Sequence, residues 1–254
     1  NDKRNCLTYK TTYLSAYLHF NVISIREVYY TILNKLGKNN LLLNELHWRD
    51  FYMNISYNFP EVLEGMTSKK NRSFRKKYDK IKWSSSKKNL KCWKNGKTGY
   101  PIVDACMNQL NTTGYMHNRG RMIVASFLTK HLLIDWREGE KYFATKLVDY
   151  DCHSNNGGWQ WSSGSGTDAQ PYFRIFNPWT QGKNFDPSGK YIKKWVQELE
   201  KVEVKDLLKW EKKEIREKYK NIINYPEPIV NHKEAREKVL KVYKIKDEKP
   251  SLAD

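Results

Sequence analysis

The 254-residue chain carries 46 Lys and Arg against 28 Asp and Glu, a net charge of +18, and is 14% aromatic with nine Trp and seventeen Tyr. A chain of this length forms one sizeable domain or two small ones, with a core large enough to take many rings. No stretch is apolar enough to cross a membrane as a helix, no signal peptide opens the sequence, and the charge points to a polyanion, nucleic acid first.

The predicted elements are helices throughout. From Thr11 to Leu36 apolar residues recur at Leu14, Leu18, Val22, Ile25, Tyr29, Ile32, Leu33 and Leu36, the spacing of one or two helices. Leu41 to Tyr57 continues the pattern and puts Glu45, Trp48, Arg49 and Tyr52 on one face. Tyr100-Pro101 opens a short buried helix over Ile102 to Leu110, because proline suits a first helical position. Met116 to Trp136 reads as one longer helix with Met122, Ala125, Leu128, Leu132 and Leu133 on its apolar side. Lys190 to Leu199 and Lys205 to Tyr219 read as amphipathic helices, and Pro226 and Pro228 precede a last helix from His232. No alternating strand run competes, so the expected class is all-α, a single domain with a lead-in over residues 1–10 and a tail over 240–254.

Cys6, Cys92, Cys106 and Cys152 are scattered, with no CxxC and no metal-ligand spacing. They permit disulfides, but in a Lys-rich chain they favour reduced thiols and a soluble intracellular setting, cytoplasmic or nuclear. Residues 69–97 hold thirteen Lys and Arg, from Lys69 and Lys70 to Lys97, against one acid, Asp79. Such a run is usually a solvated face, yet Phe74, Tyr78, Trp83 and Trp93 are interleaved with it, which suits contact with a phosphate backbone. The stretch from Asp149 to Trp179 mixes carboxylates, paired asparagines, paired glycines and tryptophans, and reads as a polar loop around a large flat ligand. Its second glycine-rich run, Gly164 to Gly166, has no assigned role.

Six motifs occur in order: Thr11–Leu18 (TTYLSAYL), Asn44–Asp50 (NELHWRD), Gly96–Ala105 (GKTGYPIVDA), Met116–Arg119 (MHNR), Asp135–Glu140 (DWREGE) and Asn155–Trp161 (NNGGWQW). From about Thr11 to Val239 the chain resembles the FAD-binding half of the photolyase/cryptochrome family, and within it the class I cyclobutane pyrimidine dimer photolyases. The resemblance implies a helical bundle holding FAD, active as the reduced anionic hydroquinone. Family members of this class add an N-terminal α/β antenna domain; this chain is expected to lack that domain and its chromophore, which leaves a catalytic half alone or one partnered by a separate antenna polypeptide. Ala16 and Asn21 depart from the family's usual Pro and Gly.

What the resemblance implies of single residues is as follows. The hydroxyls of Thr11, Thr12 and Ser15 bind phosphates with Arg49, although a helix cap is the simpler use of such a string. Leu14, Trp93, Asn118, Arg121, Asp149, Tyr150, Asp151 and Asn155 complete the cofactor set, Trp93 lying outside the electron relay and serving to pack. Arg121 and Asp149 form an ion pair at the flavin, and Asn155 lies beside its N5. Trp159, Trp136 and Trp83 relay electrons from flavin to surface. Glu45, Trp48, Arg119, Met122, Trp161 and Arg174 receive a dimer flipped out of UV-damaged DNA, and Met122 and Asn118 favour the cyclobutane dimer over the (6-4) photoproduct. The expected activity is light-driven dimer repair by a monomer with no metal and no membrane partner. A cryptochrome-like photoreceptor, a split two-chain enzyme and a flavin-free DNA-binding remnant are the alternatives.

Overall fold

Short polar side chains cap the starts of many of the helices. In a computed structural model, which describes residues 4–63 and 71–244, the helices α1 (Leu14–His19), α2 (Ile25–Leu36) and α3 (Leu41–Asn58) come first. Ser24 Oγ accepts the Arg26 N–H and Asn40 Oδ1 the Leu42 N–H, each satisfying a first-turn donor that a helix cannot pair internally. The expected span from Thr11 to Leu36 is therefore two helices, broken where Asn21 takes a φ of 54°. Val28, Ile32, Leu43 and Leu46 bind α2 to α3 in a small core of their own.

The main core follows: α4 (Lys87–Lys94), α5 (Pro101–Thr113), α6 (Asn118–Ser126), α7 (Trp136–Lys146), α8 (Cys152–Ser163), α9 (Pro178–Phe185), α10 (Lys190–Trp195), α11 (Val204–Leu207), α12 (Lys213–Tyr219) and α13 (His232–Val242). Among the described residues no strand occurs. Pro101 opens α5, which buries Ile102, Val103, Ala105, Cys106, Met107 and Leu110 between α6, α9 and α10. The stretches expected as single helices over 190–199 and 205–219 are each interrupted, the first by a tight 3₁₀ turn at Gln197–Leu199 and the second between α11 and α12. Leu7, within the expected lead-in, is buried and donates its N–H to the Phe185 carbonyl, and residues 240–242, assigned to the tail, complete α13. Residues 245–254 lie outside the described residues, as do Lys69 and Lys70 of the basic run.

Two expectations are corrected. Met116 to Trp136 is not one helix. His117 caps α6, a π-turn spans Phe127–His131, and Leu133 at φ 51° reverses the chain so that Trp136 starts α7 under the Asp135 cap. The π-turn turns Lys130 and His131 into the core. Lys130 Nζ donates to the Ser163 carbonyl at 2.7 Å and lies 3.4 Å from the Tyr243 ring centroid, while His131 Nε2 sits 2.8 Å from His232 Nδ1. The second correction concerns Asp149 to Trp179, expected as a loop. Its first half is α8, capped by Asp151 and ended by Gly164 in the left-handed conformation at φ 87°, which gives that glycine its role.

The buried His131 predicts a pH dependence. Burial first, then the neighbouring His232, depresses its pKa to about 3. An unfolded imidazole titrates near ~6.5, so between these values the unfolded chain binds the extra proton and acidification removes stability, at up to ~1.4 kcal/mol per pH unit. Asp104 acts with the opposite sign, since burial raises its carboxyl to about 6 and its contribution falls as pH rises toward that value. The two slopes oppose one another from about pH 4 to 6. Asp104→Asn removes one of them, and the variant is expected to lose stability from pH 6 to 4 more steeply than the parent in urea titrations.

Candidate functional site

A cleft of about 410 Å³ opens between α3, α6, α7 and α8. Helix α3 supplies Glu45, Trp48, Arg49 and Tyr52, α6 supplies Asn118, Arg121 and Met122, and Phe143 stands on α7. Asp149 and Asp151 precede α8, whose own face contributes Asn155, Gly158, Trp159 and Trp161. The α3–α8 contact depends on Gly157, where a Cβ would overlap the Tyr52 ring, and the α7–α8 contact on Gly139, where a Cβ would overlap the Trp159 indole. Gly158, one residue along, faces open space: a Cβ there meets nothing within 4 Å.

One charged pair in the cleft is tightly held. Arg121 Nη2 donates to both Asp149 carboxylate oxygens at 3.0 and 2.8 Å and its Nε to the Met116 carbonyl at 2.8 Å. The Asp149 side chain is only 2% exposed, so the guanidinium is what permits a buried carboxylate there. Asn155 Nδ2 donates to Glu140 Oε1 at 3.0 Å and to the Glu140 carbonyl at 3.2 Å, and its amide oxygen accepts no hydrogen bond from the described residues. Tyr52 is pushed to about 12 by burial, with Asp168 adding to the effect, so it is a neutral donor at any working pH.

Arginines gather toward the amino-terminal segment. Arg119 donates to Asn5 Oδ1 at 2.9 Å and stacks 4.4 Å from the Phe185 centroid. Burial, then the nearby Arg4 and Arg174, lowers its pKa, so three guanidiniums repel one another there, and Arg4 reaches the cleft beside Glu45 at 3.4 Å. Thr11, Thr12 and Ser15 are exposed and Leu14 half-buried; none of them lines the cleft. Thr11 Oγ1 is bonded to Tyr115 Oη at 3.0 Å, and the Tyr115 ring lies 5.8 Å from Arg121, which sets the Thr11 hydroxyl beside the cleft rather than in it. Tyr150 Oη donates to Glu140 Oε1 at 3.5 Å, outside the cleft lining.

Of the tryptophans, Trp159 lines the cleft, Trp136 and Trp93 are fully buried, and Trp83 is half-buried against Tyr243 with centroids 6.2 Å apart. The cleft takes no residue from the described part of the basic run, 71–97. Sequence reading passed over Arg4, Tyr52, Gly158 and Glu140. Glu140 stands in the DWREGE motif and Gly158 in the NNGGWQW motif without a role, and Tyr52 shares the predicted face of α3 with Glu45; Arg4 carries no local signal.

The FAD binding domain of DNA photolyase matches residues 42–245. The chain belongs to that family. A deoxyribodipyrimidine photo-lyase of Escherichia coli is 47% identical over 242 residues, 92% of this chain and 49% of that protein, and one of Halobacterium salinarum is 41% identical over 92% and 49%. Among solved structures, a bacterial class III photolyase from Agrobacterium tumefaciens superposes with a TM-score of 0.85 at 42% identity, covering 95% of this chain and 51% of that one. A Synechocystis cryptochrome superposes at 0.79 and 31% identity, over 95% and 51%. The chain thus spans about half the length of the curated relatives it matches.

The FAD-binding family implies a flavin, and the residues present fit one. The cleft is of ligand-binding size, Gly158 leaves part of its α8 wall bare, and the Asn155 amide, the Arg121 guanidinium and the Asp149 carboxylate offer an acceptor, a cation and an anion to a heteroaromatic ring. Among the described residues no group of His, Cys, Asp and Glu could hold a metal ion, and no helix is long and apolar enough to cross a membrane.

Proposed function

We propose that the chain holds FAD in the α3–α8 cleft and uses it to repair cyclobutane pyrimidine dimers in DNA under light. One observation carries the reading: the Asn155 and Trp159 side of α8 and the Glu45, Trp48 and Met122 side of α3 and α6 share a single cavity, so a flavin and a flipped-out base can occupy one space. When bound and reduced, FAD supplies an electron to the dimer on excitation and recovers it after the ring has split.

The chain's own residues do the rest. The Asn155 amide oxygen, with its nitrogen held by Glu140, accepts from a ring N–H and so favours the reduced cofactor, which carries one at N5. Arg121, anchored on Asp149, offers positive charge to an anionic ring. The hydroxyls of Thr11, Thr12 and Ser15 with Arg49 take the phosphates. Trp48 and Trp161 present ring faces to the dimer, Glu45 hydrogen-bonds a pyrimidine carbonyl or imide, and Arg4, Arg119 and Arg174 hold the flanking phosphates. Trp159, Trp136 and Trp83 carry electrons inward when the cofactor is oxidised. An antenna domain on a separate polypeptide is a compatible partner, and the similarity to a cryptochrome makes a flavin photoreceptor the second reading.

Binding separates repair from a signalling role. The reduced, FAD-loaded chain is expected to bind duplex DNA holding one dimer at least about tenfold more tightly than undamaged duplex, ~1.4 kcal/mol, and Trp161→Ala is expected to remove most of that preference. Equal affinity for the two duplexes, measured by fluorescence anisotropy at fixed salt, would overturn the proposal.

A further inference from the structure

Trp159 meets more than the expected relay. Its indole stands edge-on to Trp93 with centroids 6.0 Å apart and to Phe143 at 5.0 Å. Trp93 in turn stands edge-on to Tyr142 at 5.7 Å. Tyr142 is half-buried at the surface of α7, with its phenol 2.6 Å from Asn111 Oδ1 and 3.1 Å from the Lys94 carbonyl. A continuous line of oxidisable rings therefore runs from the cleft wall to solvent through Trp93.

The surroundings of the two inner tryptophans differ in a way that bears on where a positive hole rests. Trp93 Nε1 donates to the Val124 carbonyl at 3.1 Å, and such an acceptor strengthens its bond when the indole becomes a cation radical. Trp136 Nε1 is buried with no acceptor among the described residues, and the Arg137 guanidinium, paired with Asp79 and Asp135, lies 4.6 Å from its ring. With both carboxylates on it the guanidinium adds no net positive charge there, so the missing acceptor at Trp136 Nε1 is the difference that favours a hole on Trp93.

We propose that Trp93 and Tyr142 form a second electron-supply branch from Trp159, ending in a tyrosyl radical at the surface and parallel to the path through Trp136 and Trp83. The inference rests on the flavin reading above. Trp159 gives one electron to the photo-excited oxidised cofactor. Trp93 then gives one electron to the Trp159 cation radical, and Tyr142 gives one to Trp93 while its phenolic proton passes to bulk water, since the amide oxygens of Asn111 and Lys94 that it bonds are too weakly basic to keep it. The balance is one electron delivered, one proton released and one neutral tyrosyl radical, which an external thiol can reduce.

The test is blue-light excitation of the oxidised, FAD-loaded chain without DNA, followed by freeze-trapped electron paramagnetic resonance and transient absorption. In Trp136→Phe, photoreduction is expected to persist at about a tenth of the parental yield with a tyrosyl signal, and Trp136→Phe/Trp93→Phe is expected to lower it about tenfold further. Trp136→Phe/Tyr142→Phe should keep a tryptophan radical and lose the tyrosyl signal; because Tyr142 is half-buried and the exchange keeps its ring, this variant decides the matter even if the Trp93 variant fails to fold. A tyrosyl signal that survives Tyr142→Phe, or equal yields with and without Trp93, would overturn the branch. Flavin retention is read by absorbance before illumination: retention with no tyrosyl signal overturns the branch alone, and no retention overturns the flavin reading with it.

Discussion

Gly158→Phe is expected to fold as stably as the parent and to lose FAD. A Cβ at this position meets no atom within 4 Å, and the side chain grows into the cleft rather than into a neighbouring helix. Glycine within a helix costs about 0.5–1 kcal/mol relative to alanine, so removing it offsets the exposure of a new ring. The same ring fills space the cofactor needs, and affinity is expected to fall at least about a hundredfold, ~2.7 kcal/mol. Gly157→Ala behaves in the opposite way. Its Cβ would overlap the Tyr52 ring, so it lowers stability by ~1–3 kcal/mol through overpacking at the α3–α8 contact. Thermal unfolding of the flavin-free chains and flavin absorbance after gel filtration separate the two effects. Full flavin retention by Gly158→Phe would place the cofactor elsewhere.

The second large effect is on stability. Arg121→Leu leaves the Asp149 carboxylate, 2% exposed, without the guanidinium that holds both of its oxygens. Stranding a buried charge in this way costs about 3–5 kcal/mol. Because Arg121 is itself 28% exposed and water reaches it, the lower end of that range applies. For a chain of this size ~3 kcal/mol corresponds to a fall of roughly 6–12 °C in Tm. Arg121→Leu/Asp149→Leu removes both charges and is expected to recover most of the loss. A double variant as unstable as the sum of the single ones would show that the pair's contribution is independent of their contact.

These residues also show what was legible in the sequence. Helix starts were readable where a local signal sufficed, as at Pro101, whose ring fixes a helical φ, and at the turn before His232, where Asn231 caps α13. The break inside Met116 to Trp136 was not. It depends on Lys130 reaching the Ser163 carbonyl thirty-three residues away, and no local pattern records that. Helix α8 was mistaken for a loop because Asn-Asn-Gly-Gly is a poor helix former. Its glycines answer to tertiary demands instead, Gly157 to the Tyr52 ring and Gly158 to the cleft. The motif residues Glu45, Trp48, Asn118, Met122, Asn155 and Trp161 could be named in advance and do meet in one cleft. Arg4 could not, since only packing carries the amino-terminal segment to the cleft. The resemblance sets Trp93 in the cofactor set but outside the relay, and its edge-on contact with Trp159 is visible only in three dimensions.

Light-driven dimer loss tests the central claim most directly. The chain is loaded with FAD, reduced anaerobically, mixed with dimer-containing DNA and illuminated with blue or near-ultraviolet light beside a dark control. Dimer content is expected to fall only in the illuminated sample and in proportion to light dose. Confirmed flavin binding with no light-dependent loss of dimers would contradict the account.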